Sequence, residues 1–263
     1  MAEPTTLLYS LSGGIARITL NRPESYNAFN TTLSHELIDT LKQVARDPEV
    51  RVVVLTGVGD KAFCSGQDLK DSAATAGTRN LGQSVEQRYN PLVRLVTGTE
   101  KPFICRLNGA AAGAGAGLAL ACDFVIAAEH AYLLFAFVNI GLVPDTGSSY
   151  LLPRLVGLRK AMAYAALGEK IPAAQALADG LISQVVPAEG LDAATDALAQ
   201  RLAQAPTKAI GYIKKMLHQS TQHDLEHALR NEQHYQELAG KTDDMVEGVM
   251  AFVEKRKPVY KGR

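Results

Sequence analysis

From Ile15 to Leu20, aliphatic and β-branched residues alternate with Ala16, Arg17 and Thr19, and the run stops at Asn21-Arg22-Pro23. That pattern predicts a strand. Residues 31 to 46 place Leu33, Leu37, Ile38, Leu41 and Val44 at helical spacing, which predicts an amphipathic helix. Val52-Val53-Val54-Leu55 is a continuous apolar run, as in a strand covered on both faces, and Gly57, Gly59 and Asp60 then mark a turn. Residues 71 to 83 are small and polar, with Gly77 and Gly82, and read as a mobile loop. Beyond it, Ser84 to Val96 reads as helix, Phe103 to Leu107 as strand, Gly115 to Ala121 as helix and Phe124 to Ala127 as strand. Strands and helices in alternation define an α/β class.

From about residue 190 only helical periodicity remains. Leu191 to Ala203 is one helix, and Pro206 suits the first turn of the next. Thr221 and Asp224 suit the start of a third, with Gly240 at its stop. Thr242, Asp243 and Asp244 open a fourth that ends near Pro258. The expected organisation is an α/β core over residues 1–190 and a helical region over 191–263. No linker rich in Pro, Gly or Ser divides them, so the helical region is expected to pack on the core or on a neighbouring subunit.

Lys+Arg and Asp+Glu each number 27 in 263 residues, so the formal net charge is zero. Neither nucleic acid nor an anionic membrane surface is expected as a partner. Cys64, Cys105 and Cys122 form no C-x-x-C pair and leave one odd, which fits reduced thiols in a cytoplasmic protein. Met1 to Ser10 lacks the basic start and apolar run of a signal peptide. The most apolar stretch, Leu118 to Leu134, is interrupted by Asp123, Glu129 and His130, too polar for a membrane span.

Three segments offer chemistry. Phe63-Cys64-Ser65-Gly66-Gln67-Asp68-Leu69 and Asn108 to Gly117 both run from strand-like residues through small residues into a turn or helix start. Peptide N–H groups lie free at such places and can hold an anion or an oxyanion. A plain turn in the first and a tight strand-to-helix connection in the second are the alternatives. Asp145, in Gly141-Leu142-Val143-Pro144-Asp145-Thr146-Gly147, is an acid or base, or alternatively the N-cap of a helix starting near Thr146. The dinucleotide fingerprint fails because its third glycine falls at Leu118. His223, His227 and His234 share helical spacing, but the glutamate of H-E-x-x-H is missing, so a solvated helix face is expected and no metal. No G-x-S-x-G elbow and no Walker loop occur.

Taken in order, Ile18 to Pro23, Asn27-Ala28, Val54 to Gly57, Phe63 to Leu69, Lys101-Pro102, Asn108-Gly109, Cys122-Asp123 and Ile140 to Asp145 resemble the enoyl-CoA hydratase/isomerase (crotonase) superfamily over nearly the whole chain. The resemblance implies a spiral of ββα units with a C-terminal helical trimerisation region, assembled as a trimer or a dimer of trimers. It implies that the N–H groups of Gln67 and Ala114 bind a thioester oxygen. Ser65, Asp68, Leu69, Lys70 and Phe137 would contact an acyl-CoA, with coenzyme A part of the substrate and no separate cofactor. Hydratases of the superfamily use two glutamates, and Gly117 and Phe137 stand at those positions here. Several isomerases carry instead an acid that Asp145 matches. Ser84-Val85-Glu86, Tyr89 to Val93, Ala112 to Ala116 and Ala136-Phe137 are most similar to the members that isomerise a ring epoxide in phenylacetate degradation. The implied activity is epoxide-to-oxepin isomerisation or a Δ3–Δ2 double-bond shift. Hydration is one alternative. Aryl-CoA dehalogenation is another, weakened by the lack of any Trp, and a non-catalytic acyl-CoA- or RNA-binding relative is a third.

Overall fold

A computed structural model of the chain describes residues 5–70 and 80–263. The loop expected over 71 to 83 therefore lies, for residues 71–79, outside the described residues. Ten strands follow in chain order: β1 (Leu7–Ser12), β2 (Ile15–Leu20), β3 (Val52–Gly57), β4 (Ala62–Cys64), β5 (Phe103–Leu107), β6 (Ala110–Ala112), β7 (Phe124–Ala128), β8 (Tyr132–Leu134), β9 (Lys170–Pro172) and β10 (Gln184–Val186). They form a six-stranded sheet, β1-β2-β3-β5-β7-β10, and a four-stranded sheet, β4-β6-β8-β9. The pairs β3/β4, β5/β6 and β7/β8 each send one strand to the first sheet and the next to the second, which is the repeating turn of the spiral. All pairings are parallel except β1 with β2 and β8 with β9.

The strands read from the sequence are present at nearly the expected bounds. β1 and the short strands β8, β9 and β10 went unread, and β4 and β6 were read only as strand-like ends. A three-residue strand shows too little alternation to stand out. β1, by contrast, carried a signal, since Gly13 and Gly14 both adopt positive φ in a two-residue hairpin turn.

Helix α1 (Thr31–Arg46) is capped by Asn30, whose Oδ1 accepts from Leu33 N–H at 2.8 Å. A one-turn helix α2 (Leu81–Ser84), capped by Asn80, continues through a π turn (Val85–Tyr89) into α3 (Asn90–Gly98). The helix expected from Ser84 therefore begins earlier, and Gly82 lies within it rather than in a loop. Helix α4 (Ala114–Ala121) is wholly buried between the sheets and α5 (Ser148–Leu167), which breaks at Gly157. A short α6 (Ala173–Ala178) precedes α7 (Leu191–Ala203).

Helix α7 packs on β3, β5 and β7, and its Leu191, Ala199 and Leu202 join the main core. Helix α8 (Thr207–Ser220) packs on α3. The last two, α9 (Leu225–Gly240) and α10 (Asp243–Val253), begin at the caps expected from Asp224 and Thr242. Helix α10 stops at Val253, short of Pro258. No residue of α9 is buried, and Val246, Val249, Phe252 and Val253 on α10 are exposed. None of the helices, among the described residues, is long and apolar enough to cross a membrane.

One buried ion pair joins the helical region to the sheet. Lys214 on α8 donates to Asp123 Oδ2 at 2.8 Å and to the Val96 carbonyl at 2.6 Å, and the same Asp123 oxygen accepts from Phe103 N–H at 2.7 Å. Removing one partner of a buried pair strands the other charge, a loss of about 3–5 kcal/mol. Asp123→Ala is expected to lower the unfolding free energy by about 3 kcal/mol in a urea titration. An unchanged midpoint would show that the pair contributes nothing.

Candidate active site

The site begins where β4 runs on into Ser65-Gly66-Gln67. Phe29 makes an isolated parallel bridge with Gln67. Phe29 N–H donates to the Gly66 carbonyl at 2.7 Å, and Asp68 N–H donates to the Phe29 carbonyl at 2.9 Å. The Gly66 carbonyl and the Gln67 N–H are the two ends of one trans peptide and point to opposite sides, so the N–H of Gln67 points away from Phe29. On that other side lies β6. A Cβ added to Gly66 would stand 2.7 Å from the Ala112 carbonyl and 3.4 Å from the Ala114 nitrogen. Only glycine, here at φ 89°, lets the two segments close to this distance.

Ala114 is the first residue of α4. Gly113 before it is spent on the sheet, its N–H donating to the Leu134 carbonyl at 2.8 Å. As a first-turn amide, Ala114 N–H has no carbonyl one turn back. Neither the Gln67 nor the Ala114 N–H has an acceptor among the described residues. The Gln67 side chain is anchored separately. Its Nε2 donates to the Phe29 carbonyl at 3.2 Å, and the Tyr89 hydroxyl donates to its Oε1.

Asp145 sits between a 3-10 turn (Ala136–Ile140) and α5. It does not cap that helix. Gly147 holds the N-cap position, and Asp145 accepts from Ser148 N–H through its backbone carbonyl alone. Its carboxylate instead accepts from the Thr146 hydroxyl, at 2.7 Å to Oδ1. Oδ2 has no hydrogen-bond partner among the described residues. Burial pushes the Asp145 pKa above the usual aspartate value, and the Thr146 hydroxyl partly offsets this.

These groups face one cavity of about 460 Å³. The structure brings Ser65, Gln67, Leu69, Ala114, Phe137 and Asp145 together on its wall. Asp68 and Lys70 do not line it. Asp68 is turned to Arg22, whose Nη2 lies 2.9 Å from its carboxylate, and Lys70 is exposed. Phe137 and Leu142 supply an apolar surround on the wall that carries Asp145, while Val138 lies off that wall and packs against Gly168. Tyr89, Leu81, Val85, Ile140 and Val143 complete the wall without having been singled out in the sequence. Val85 and Tyr89 are four residues apart in a segment read as helix, so a shared face was legible there, though not what it faces. Asp145 is the sole ionisable acid or base on this wall among the described residues, apart from the Tyr89 hydroxyl.

A larger cavity, about 660 Å³, lies by Arg51, Lys101 and Glu100. Its principal cations are already committed. Arg51 donates to Thr207, Tyr260 and Ala205, and Lys101 to the Val44 and Asp47 carbonyls. The His223 and His227 rings lie 5.3 Å apart on an exposed surface, while His234 packs on Tyr235. Among the described residues no cluster of His, Cys, Asp or Glu could hold a metal. Cys64 is buried beside the site, and burial pushes its thiol up to about 12, which removes it as a nucleophile near neutrality.

Paired strands of two sheets thus bring two open amides and one acid onto a single cavity, an arrangement able to hold an oxyanion and move a proton beside it. The family described as enoyl-CoA hydratase/isomerase matches residues 10–263. The 1,2-epoxyphenylacetyl-CoA isomerase of Escherichia coli K12 is 45% identical over 98% of both chains. A protein of Rhodobacter capsulatus named as a probable enoyl-CoA hydratase is also 45% identical over 98% of both. The crystal structure of an enoyl-CoA hydratase from Bacillus anthracis superposes with a TM-score of 0.91 at 34% identity, covering 98% of this chain and 100% of that one. The chain belongs to the enoyl-CoA hydratase/isomerase family, the crotonase superfamily.

The raised pKa of Asp145 has a consequence for stability. A carboxyl that holds its proton more tightly when folded opposes folding once pH rises above the ordinary aspartate range, near 3.9. Asp145→Asn is therefore expected to melt above the wild type at pH 7. The difference should shrink as pH falls towards about 4, where the unfolded carboxyl is protonated too. Differential scanning fluorimetry across that range checks it, and a lower melting temperature at pH 7 would contradict the burial of the charge.

Proposed function

We propose that this chain isomerises an acyl-CoA thioester, with the Gln67 and Ala114 amides as the oxyanion hole and Asp145 as the single group that moves a proton. The observation that carries this reading is one carboxylate, alone on the wall among the described residues and with an oxygen that none of them binds, beside two backbone donors with no acceptor among the described residues. In this reading the thioester oxygen takes both N–H groups. Asp145 Oδ2 removes a proton from carbon, the electron pair flows to that oxygen, and the proton returns to another carbon of the conjugated enolate. No water enters, and the mass of the substrate is unchanged. Preorganised donors at developing charge are the largest contribution, about a hundred- to a thousandfold for each.

The raised pKa of Asp145 suits the return step, because a carboxyl that holds its proton is a better acid. Hydration needs a second group to activate water. Gly117 and Phe137, which stand at the positions of the hydratase glutamates in the resemblance, cannot provide it. The substrates that fit are a ring epoxide of an arylacetyl-CoA, opening towards an oxepin, and a β,γ-unsaturated acyl-CoA that shifts its double bond. The 45% identity to a 1,2-epoxyphenylacetyl-CoA isomerase favours the first. The wall of Leu81, Val85, Tyr89, Phe137 and Ile140 is apolar enough to receive a ring. Ser65 to Lys70 would follow the pantetheine arm. A trimer or a dimer of trimers would cover the exposed apolar residues of α10.

Incubation with a panel of acyl-CoA thioesters, read by mass and ultraviolet spectrum, tests the reading. An isomer of unchanged mass is expected, and a product heavier by one water would overturn it. Asp145→Asn should lose about a hundred- to ten-thousandfold in turnover while binding the acyl-CoA within a few fold.

A further inference from the structure

Gly117 lies one turn along α4 from Ala114, about 4.5 Å further down the axis. Its backbone is helical, so the helix itself does not require glycine there, and alanine is intrinsically the better helix former. What requires glycine is the segment opposite. A Cβ at position 117 would stand 2.5 Å from the Thr146 carbonyl, 2.8 Å from Ser148 Oγ and 2.9 Å from Thr146 Cβ. The three atoms belong to Thr146 in the loop that carries Asp145 and to Ser148 at the start of α5. Thr146 and Ser148 are themselves buried and have no room to swing aside.

Thr146 adds a second observation. It holds φ 50°, a left-handed conformation that a β-branched residue rarely adopts. Such strain persists only where the surroundings over-determine it. In that conformation its hydroxyl reaches Asp145 Oδ1 and leaves Oδ2 without a partner among the described residues.

We propose that Gly117 and Thr146 form a seat that positions Asp145 over the amide pair, and that the missing side chain at 117 determines which reaction the site performs. The inference rests on Asp145 being the proton carrier. With the 145–148 segment in this place, no acid can stand at position 117. A chain that keeps Asp145 here gives up a second carboxylate on α4, and with it the means to activate water. The seat thus restricts the site to redistributing a substrate's own proton.

Gly117→Ala is the direct test, with turnover of whichever acyl-CoA the wild type isomerises as the readout. Displacing a catalytic group by about 1 Å costs roughly a hundredfold. Turnover should fall by about that factor, with KM within a few fold because the cavity's amide pair is untouched. In an Asp145→Asn background the same substitution should cost nothing further, since its effect passes through the carboxylate. Wild-type turnover by Gly117→Ala, or full additivity of the two losses, would overturn the seat. Equal turnover by Asp145→Asn and the wild type would instead overturn the reading of Asp145.

Should Gly117→Ala fail to fold, Thr146→Val decides, because it keeps the shape and removes the hydroxyl. Loss of that hydrogen bond should move the acidic limb of the kcat profile to higher pH, and Thr146→Ser should restore it. A limb that Thr146→Val leaves in place would overturn the proposal.

Discussion

A backbone amide cannot be supplied by choosing a side chain. It is placed by whatever else the chain packs around it. In this protein the Gln67 and Ala114 amides open on one cavity, and the closest approach at any described glycine lies beside them. The first turn of α4 is pressed so closely on β4 that a Cβ on Gly115 would stand 2.1 Å from the Cys64 carbonyl. The neighbouring Gly66 is pressed on Ala112 in the same way. Side chains at either position would part strand and helix and separate the donors. The cost of such an approach is borne by the rest of the fold, which must hold the two sheets in register.

Much of the polar machinery that looks functional along the chain serves that registration. Asn108 Oδ1 accepts from Gly57 N–H at 3.2 Å, while its Nδ2 donates to the Gly59 and Ala62 carbonyls. Asn27 donates to Val58 and Ala62 from the other side. Together they brace the turn between β3 and β4, and so aim the strand that ends in Gln67. Arg22 binds the Ala28 carbonyl at 2.6 Å and pairs with Asp68, which clamps the chain just beyond Gln67. Buried polar groups satisfied this fully rigidify what they touch. These residues hold the segments that bear the Gln67 and Ala114 amides without lining the cavity themselves.

Helix α4 organises the rest. Its first residue offers an amide, its fourth leaves room for the Asp145 loop, and its remaining faces are sealed in the core. The helix is short and carries no polar side chain, so its open N-terminus is not quenched by a capping residue. Across the cavity, the π turn presents Tyr89, which holds the Gln67 side chain and lines the wall at once. Extra residues per turn at such a point re-aim side chains that a regular helix would direct elsewhere. The acid then lies in an apolar surround where burial makes its charge costlier than in water.

The amino-acid sequence by itself determined the α/β class, the main strands, α1 and α7, and the caps of α9 and α10. Each of those follows from local periodicity or from a capping side chain within a few residues. Its segments around Gly66, Gly113 and Asp145 stood out as candidate chemistry, and the resemblance to a known family added Gln67, Ala114 and Phe137 by residue. Their convergence on one cavity and the turning of Asp68 towards Arg22 were decided only by tertiary structure. Which way a peptide N–H or a carboxylate points depends on contacts between segments far apart in the chain. The same holds for Gly117. Its meaning is a distance to Thr146, and spacing along one strand of sequence cannot encode how closely a helix and a loop from elsewhere approach it.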